Sequence, residues 1–241
     1  NRAVGSQLNH ARNDLDALII NAEVKGSHNI KKRFQIDWGV KYTHESIRDR
    51  IVEWVVIDSS GFSINPPIID IPNDQPYNPY VGPLVPFQNV RALNFVNIDR
   101  ISAFAQWNTK TTLGNSQLFL NAGIRAHNWM VSGDNITSSS QTVFRPRAQI
   151  SLKPDWERDM IFRLSTGFYY QPPFYRELRD LNGAVQSDVK AQQSIHFVVG
   201  NDYNFKMWNR KFKLVSDAFY KTMNDVNTYT LENVRMRYRA N

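Results

Sequence analysis

Strict alternation of apolar and polar residues runs through most of this chain and limits what it can fold into. In the clearest stretch, Phe34, Ile36, Trp38, Val40 and Tyr42 alternate with Gln35, Asp37, Gly39, Lys41 and Thr43. Successive side chains of a strand point to opposite faces, so this segment has one apolar face and one polar face. Similar alternation begins near Leu18, Leu118, Ala148, Phe162, Ile195 and Phe212. The pattern predicts an all-β, antiparallel protein whose strands separate an apolar environment from water.

The connections between these strands alternate in length. Short turns are predicted near residues 27–29, 113–116, 154–157 and 206–209, and long loops near residues 58–95, 131–141 and 171–191. The first long loop holds seven of the chain's 11 prolines, which block strand pairing there. Trp156, Phe205, Trp208 and Phe212 flank the short turns. Short turns on one rim, long loops on the other and aromatic girdles are typical of outer-membrane barrels.

Composition excludes several classes of function. The chain has no cysteine, which removes disulfides, thiolate metal sites and cysteine nucleophiles. It has no run of 18 apolar residues, so we expect no transmembrane helix, whereas a barrel strand needs only about ten residues. The net charge of +7 is spread over the strands, which favours a generally basic surface over a nucleic-acid interface. No enzyme motif is present and the five histidines lack ligand spacing, so we expect no enzyme, no metal site and no cofactor.

Several short motifs follow one another in the second part of the chain. They are Ala103-Phe104-Ala105-Gln106, Asn121-Ala122-Gly123-Ile124-Arg125, Phe144-Arg145-Pro146-Arg147-Ala148, the stretch 167–174, and Phe219-Tyr220-Lys221 followed by Asp225. In this order and spacing, the chain from about Asn97 onward resembles the C-terminal half of the barrel in TonB-dependent receptors, especially those of the Bacteroidetes type. Residues 1–96 resemble these receptors only in the general pattern of their strands.

The resemblance implies a transmembrane β-barrel of about 22 strands with a plugged lumen. Residues 1–241 would belong to one barrel domain and supply about 8–10 of its strands. The chain ends inside a strand-like run at residues 234–239 and lacks a signal peptide, so we expect a fragment of a longer protein.

The implied function is uptake of a scarce nutrient across the bacterial outer membrane with energy from the inner membrane. The nutrient would be a siderophore, cobalamin, a glycan or a peptide. The implied partners are outer-membrane lipid, a plug domain, a TonB-type energising protein and a surface lipoprotein. Two alternatives stay open, namely a passive porin or other outer-membrane barrel, and a soluble β-rich binding module.

Candidate binding residues lie in the long loops and on the polar faces. Tyr169, Gln171, Tyr175 and Arg176 end a strand and begin a long loop, and Tyr77 and Tyr80 lie in the proline-rich loop. Their rings and donors are predicted to meet a ligand. Arg125, Arg145, Arg147 and Arg163 are predicted to face the lumen, where Arg125 and Arg147 would attract an anionic solute. The favoured alternative is that these arginines pair with carboxylates of the plug or the wall.

Overall fold

The chain folds into long antiparallel strands. The computed structural model describes residues 7–30, 33–59, 62–63, 88–232 and 235–239. The strands are β1 (Gln7–Ala11), β2 (Asp14–Ile30), β3 (Phe34–Ser59), β4 (Phe62–Ser63), β5 (Gln88–Leu113), β6 (Ser116–Gly133), β7 (Ile136–Lys153), β8 (Asp159–Gln171), β9 (Gln192–Met207), β10 (Arg210–Asn224), β11 (Thr228–Glu232) and β12 (Arg235–Arg239). Among the described residues, the helical structure is the 3₁₀ turn Tyr175–Leu178, and no helix there is long and apolar enough to cross a bilayer.

One sheet contains β1 to β10, and every pair of neighbours in it is antiparallel. Strands β1 and β2 pair with the same edge of β3 in one continuous register, so they act as a single interrupted strand. The sheet is therefore eight strands wide, in the order β1/β2, β3, β5, β6, β7, β8, β9, β10. Strands β11 and β12 form a separate hairpin. The predicted all-β antiparallel architecture is confirmed.

The register joins the alternating faces of the individual strands into two continuous surfaces. We call the surface covered by residues 172–191 the inner face and the opposite surface the outer face. The inner face carries the arginines at positions 100, 125, 145, 147 and 163. The six apolar residues for which the alternation most clearly predicts an outward direction all lie on the outer face: Phe34, Trp38, Leu120, Ile150, Phe162 and Leu214.

A band of large apolar side chains crosses the outer face. One cross-strand row runs Leu120, Ile150, Leu164, Val199 and Ala218. Side chains in this band leave about half of their surface uncovered, for example 50% for Ile124 and 59% for Val199. On β6 the apolar positions extend over nine residues, from Leu118 to Ala126, which is about the length of a membrane-crossing strand. We call this band the apolar belt.

Three of the four predicted short turns are confirmed and share one rim. They are the two-residue turns Gly114-Asn115 and Trp208-Asn209, and the turn at residues 154–158. The fourth short turn was predicted near residues 27–29 and lies later than predicted, between Ile30 and Phe34, because β2 continues to Ile30. Ser27 and Asn29 belong to the inner face, where Ser27 accepts a hydrogen bond from Gln35 at 3.1 Å, while His28 stacks on Trp38 of the outer face. Polarity that resembles a turn in the sequence is here the water-facing side of a strand.

The long loops differ from the prediction in two places. Residues 131–141 are almost entirely strand, and the connection is the tight turn Asp134-Asn135, in which Asn135 has a left-handed φ of 59°. The prediction of a long loop there is wrong, because serine and threonine run on into β7. The loop predicted for residues 58–95 is shorter than expected, because β3 extends to Ser59 and β5 begins at Gln88. Its central part lies outside the described residues.

The connection between β8 and β9 is long, as predicted, but it does not project away from the sheet. Residues 172–191, which we call the inner segment, fold back onto the inner face. Tyr175, Leu178 and Val189 of the segment pack with Ile98, Trp129 and Val131 of the wall in one buried cluster. This is the apolar core of the described chain, and it covers the inner face of β3, β5 and β6.

Candidate functional site

Three arginines of adjacent strands lie together on the inner face. Arg125 of β6 and Arg145 of β7 are direct cross-strand partners, and Arg147 is two residues further along β7. Side chains in such positions have Cβ atoms roughly 5 Å apart. We call Arg125, Arg145 and Arg147 the arginine cluster. The register therefore brings together three of the four arginines that the sequence places on one polar face.

Glycine and aromatic residues shape the wall around the cluster. Gly39 leaves room for the ring of Phe104, and the guanidinium carbon of Arg125 lies 5.0 Å from the centre of that ring. On the neighbouring row, a side chain at Gly167 would collide with the stem of Arg147. The Arg147 guanidinium extends over Tyr169, with its carbon 4.2 Å from the centre of that ring. The two arginines are therefore held by stacking.

A second aromatic ring packs against Tyr169. His196 of β9 stacks on it with ring centres 4.4 Å apart, and Ser194 lies 2.7 Å from the ring nitrogen Nε2 of His196. Arg147, Tyr169 and His196 thus form a three-layer stack on the inner face. The stack fixes the plane of the guanidinium, while the in-plane N–H groups stay available to an oxygen ligand.

Acidic side chains are present on the inner face but pair elsewhere. Glu45 binds Arg100 at 3.0 Å, and Asp202 binds both Arg163 at 2.8 Å and Lys213 at 3.0 Å. Arg163 also contacts Asp217 at 3.1 Å. Pairing with wall carboxylates, the favoured alternative for the arginines, therefore holds for Arg163. Within the part of the chain that the structure describes, no carboxylate pairs with Arg125, Arg145 or Arg147.

A cavity of about 530 Å³ lies between the inner segment and the wall, beside the arginine cluster. Its wall side carries Lys41, Arg145 and His127, and also Arg100 in an ion pair with the lining carboxylate Glu45. Gln171, Pro172 and Phe174 form its rim on the segment side. Arg145 and His127 contact each other at 3.4 Å. The buried Nε of Arg145 and Nε2 of His127 have no hydrogen-bond partner among the described residues. The lining therefore offers unused donors to an oxygen-rich ligand.

A buried polar contact fastens the inner segment. The hydroxyl of Tyr175 donates to Asp49 Oδ2 at 2.8 Å, and Arg179 donates to the same oxygen at 2.7 Å. Asn94 of β5 donates to the backbone oxygen of Gly183 at 2.9 Å. Burial and the neighbouring Asp49 carboxylate raise the pKa of Tyr175. We call the Asp49, Tyr175 and Arg179 contact the latch, because it joins the segment to β3.

The structure places the predicted binding residues in different surroundings. Tyr169, Arg125 and Arg147 meet at the arginine cluster and its stack, and Gln171 lines the cavity. Tyr175 is buried in the latch rather than presented at a loop surface, and Arg176 next to it is exposed. Tyr77 and Tyr80 lie outside the described residues. The sequence analysis did not select Lys41, Arg100, His127, His196 or Asp49, although their parity along the strands places each on the polar face.

Among the described residues, no group of three or more histidine, aspartate or glutamate side chains is arranged to hold a metal ion. A larger hollow of about 710 Å³ lies near the short-turn rim. Its lining holds two basic residues, Arg33 and Lys110, among mostly uncharged inner-face side chains such as Gln35, Asn108 and Gln149. The cavity beside the arginine cluster is therefore the better candidate site.

The fold of this antiparallel sheet corresponds to part of the structure of a larger transporter. The solved structure that shows this is the copper transporter OprC, which aligns with 95% of the chain with a TM-score of 0.61 and 13% sequence identity. The chain spans 33% of the length of OprC. At this identity the match establishes the fold, and it is to a transporter barrel rather than to an enzyme. No protein-family model matches the chain, and no curated protein matches it.

Proposed function

We propose that the chain is part of the barrel wall of an active transporter in the bacterial outer membrane, which takes up a scarce nutrient. The observation that carries this proposal is the apolar belt. Eight strands place large, half-exposed apolar side chains on one face, while the other face carries the arginines and their polar neighbours. Monomeric soluble proteins rarely expose so large a continuous apolar surface. Lipid contact outside and a wet lumen inside account for both faces at once.

The lumen in this proposal is not an open pore. The inner segment occupies the inner face of β3, β5 and β6 and is fixed there by the latch and the buried cluster. A nutrient passing through the barrel would move beside this segment and the arginine cluster. The further parts of the transporter would be a plug domain, contact with a TonB-type energising protein, and a surface lipoprotein at the outer rim.

The test of active transport uses the full-length protein in cells. A strain that carries it is compared with its deletion strain for growth on single scarce nutrients: ferric siderophores, cobalamin, glycans and peptides. Uptake of the nutrient that requires the protein is then measured with and without a protonophore, which collapses the energy supply of the inner membrane. Active transport predicts that uptake stops with the protonophore while the amount of protein in the outer membrane stays the same.

A passive channel is the second candidate function. The folded inner segment favours a passive channel, because a segment on the inner wall narrows a pore and allows selection by size and charge. Uptake that continues at the same initial rate in the presence of the protonophore would identify a passive channel and refute active transport. Recovery of the full-length protein in the aqueous fraction without detergent would refute both and favour the soluble binding module.

A further inference from the structure

We propose that the arginine cluster and the adjoining cavity form a binding site for an anionic solute, whose carboxylate or phosphate oxygens are held by Arg125, Arg145 and Arg147. This inference rests on the proposed function and specifies the charge class of the transported solute. It places the site on the inner wall rather than in the outer loops.

The first argument is the unbalanced charge. Arg125 and Arg145 face each other directly across β6 and β7, and like charges in this position destabilise a sheet. Two other arginines of the same face do have acidic partners, Arg100 with Glu45 and Arg163 with Asp202. Among the described residues, the cluster has none. A negatively charged ligand would remove the repulsion, so the arrangement favours anion binding.

The second argument is the geometry of the donors. Arg125 and Arg147 stack on Phe104 and Tyr169, so each presents a fixed planar set of N–H groups. A planar guanidinium matches two oxygens of a carboxylate or phosphate at once, and holding it in place in advance reduces the entropy lost on binding. Gly167 contributes because its missing side chain leaves space for the stem of Arg147. The wall is thus shaped around the arginines.

The third argument is the unused polar surface beside the cluster. The Nε atom of Arg145 and the Nε2 atom of His127 are buried, yet they have no hydrogen-bond partner in the described part of the chain. A buried polar atom without a partner costs free energy that a bound ligand recovers. The cavity that these residues line has a volume of about 530 Å³, within the usual range for small-molecule sites.

The test is a binding titration of the purified full-length protein in detergent at low salt. Trisodium citrate and inorganic phosphate serve as separate anionic probes, and a neutral hexose serves as the uncharged probe. We expect saturable binding of at least one of the two anions and none of the hexose. The variants R145Q and R147Q should each weaken anion binding roughly tenfold, the effect of losing one charge-assisted hydrogen bond. Comparison of the affinities for citrate and phosphate shows which oxyanion the site prefers.

The matched control is K110Q. Lys110 lies on the same face of β5, nearer the short-turn rim, and its ammonium packs over the ring of Phe119 at 5.1 Å. The K110Q substitution removes the same charge from the same wall. The affinity for the anion should therefore be unchanged in K110Q if the cluster is a specific site. Equal weakening by K110Q and the arginine variants would reduce the effect to general charge attraction and overturn the proposal.

Two further outcomes are decisive. If neither anion binds the wild-type protein, the cluster is already neutralised by carboxylates of the full-length protein, and the site is refuted. If R145Q and R147Q fail to fold, R147K provides the answer, since it keeps the charge but loses the planar donor set and should still weaken binding. Binding requires no energised membrane, so failure here leaves energy-dependent uptake intact, and failure of uptake leaves anion binding intact.

Discussion

At the scale of single residues, Trp208 is the most unusual residue of the short-turn rim. It occupies a two-residue hairpin turn with a φ of 51°, a left-handed conformation that bulky side chains rarely adopt. Its side chain is 81% exposed, with Phe212 as a neighbour at 6.5 Å between ring centres. Asparagine or glycine would suit this turn better. In the proposed barrel this rim lies at the membrane interface, where indole rings are favoured.

The alternation gives a sharp prediction for two neighbouring residues of β6. Leu120 lies in the apolar belt, and Asn121 lies on the inner face opposite Gln149. Replacing Leu120 by arginine should destabilise the protein folded in lipid by about 2–4 kcal/mol, because it places a charge in the hydrocarbon layer. Arginine at Asn121, the matched control, should cost less than about 1 kcal/mol. The measurement is a denaturant titration of the full-length protein in lipid vesicles, and equal costs at both sites would rule out the assignment of the two faces.

At the scale of secondary-structure elements, the faces were predictable from the sequence and the connections only in part. The outward direction of Phe34 or Leu214 follows from period-two alternation, which depends only on neighbouring residues. The turn predicted at residues 27–29 was placed too early and the loop at 131–141 was predicted wrongly, because a wet strand face and a turn use the same polar residues. The continuation of β2 past Ser27 depends on pairing with β3, which composition does not encode.

The inner segment is the element that the sequence could not place. Its direction is decided by contacts with residues far away along the chain, such as Asp49 with Tyr175 and Gln141 with Val189. Local sequence signals for residues 172–191 describe only a loop with two prolines. The arginine cluster was partly predictable, since parity placed Arg125 and Arg147 on the polar face. That it has no acidic partner among the described residues appeared only once the register was known.

The latch predicts how the inner segment is released. Replacing Asp49 by asparagine removes the charge that accepts hydrogen bonds from both Tyr175 and Arg179, so the segment should loosen by about 1–3 kcal/mol. We expect trypsin to cut faster after Arg176 or Arg179 in D49N, with the cleavage sites identified by mass spectrometry. D37N is the control, because Asp37 lies on the same face of β3 away from the segment. An unchanged cleavage rate in D49N would show that the apolar cluster and the remaining hydrogen bonds, such as Asn94 to Gly183, hold the segment without the latch.

The latch should also respond to alkaline pH in a defined direction. The pKa of Tyr175 is raised in the folded protein, so its neutral form is favoured there. The resulting stability is fully present below the ordinary tyrosine pKa of about 10 and is lost as the pH rises through the folded value. Trypsin should therefore cleave the wild-type segment slowly up to about pH 10 and faster above that pH, where Tyr175 begins to ionise. In Y175F, which cannot ionise, cleavage should not rise further above that pH; an equal rise in both proteins would mean that another group responds.

At the scale of the whole molecule, the sheet of the described residues has two open sides. Strand β2 has β3 as its neighbour on one side, and β10 has β9, so each presents a row of backbone groups without a strand partner within the described chain. In a bilayer every backbone N–H and C=O must be paired, and each unpaired group costs several kcal/mol. A wall of eight strands is therefore incompatible with lipid unless further strands close it. The match to one third of a larger transporter chain agrees with this conclusion.

The open edges lead to a prediction for residues 1–241 produced alone. Because β2 and β10 are long strands of 17 and 15 residues, the isolated chain should pair edge to edge and form oligomers or aggregates on refolding with lipid vesicles. The full-length protein refolded in the same way should instead enter the vesicles as a single species whose electrophoretic mobility changes on boiling. Crosslinking between cysteines introduced at Ala22 of β2 and Ala218 of β10 reports the edge pairing, with cysteine at Ala122 in the middle of the sheet as the control. If the isolated chain enters vesicles as a monomer with its β-structure intact, these eight strands close on themselves, and the barrel is far smaller than the one proposed.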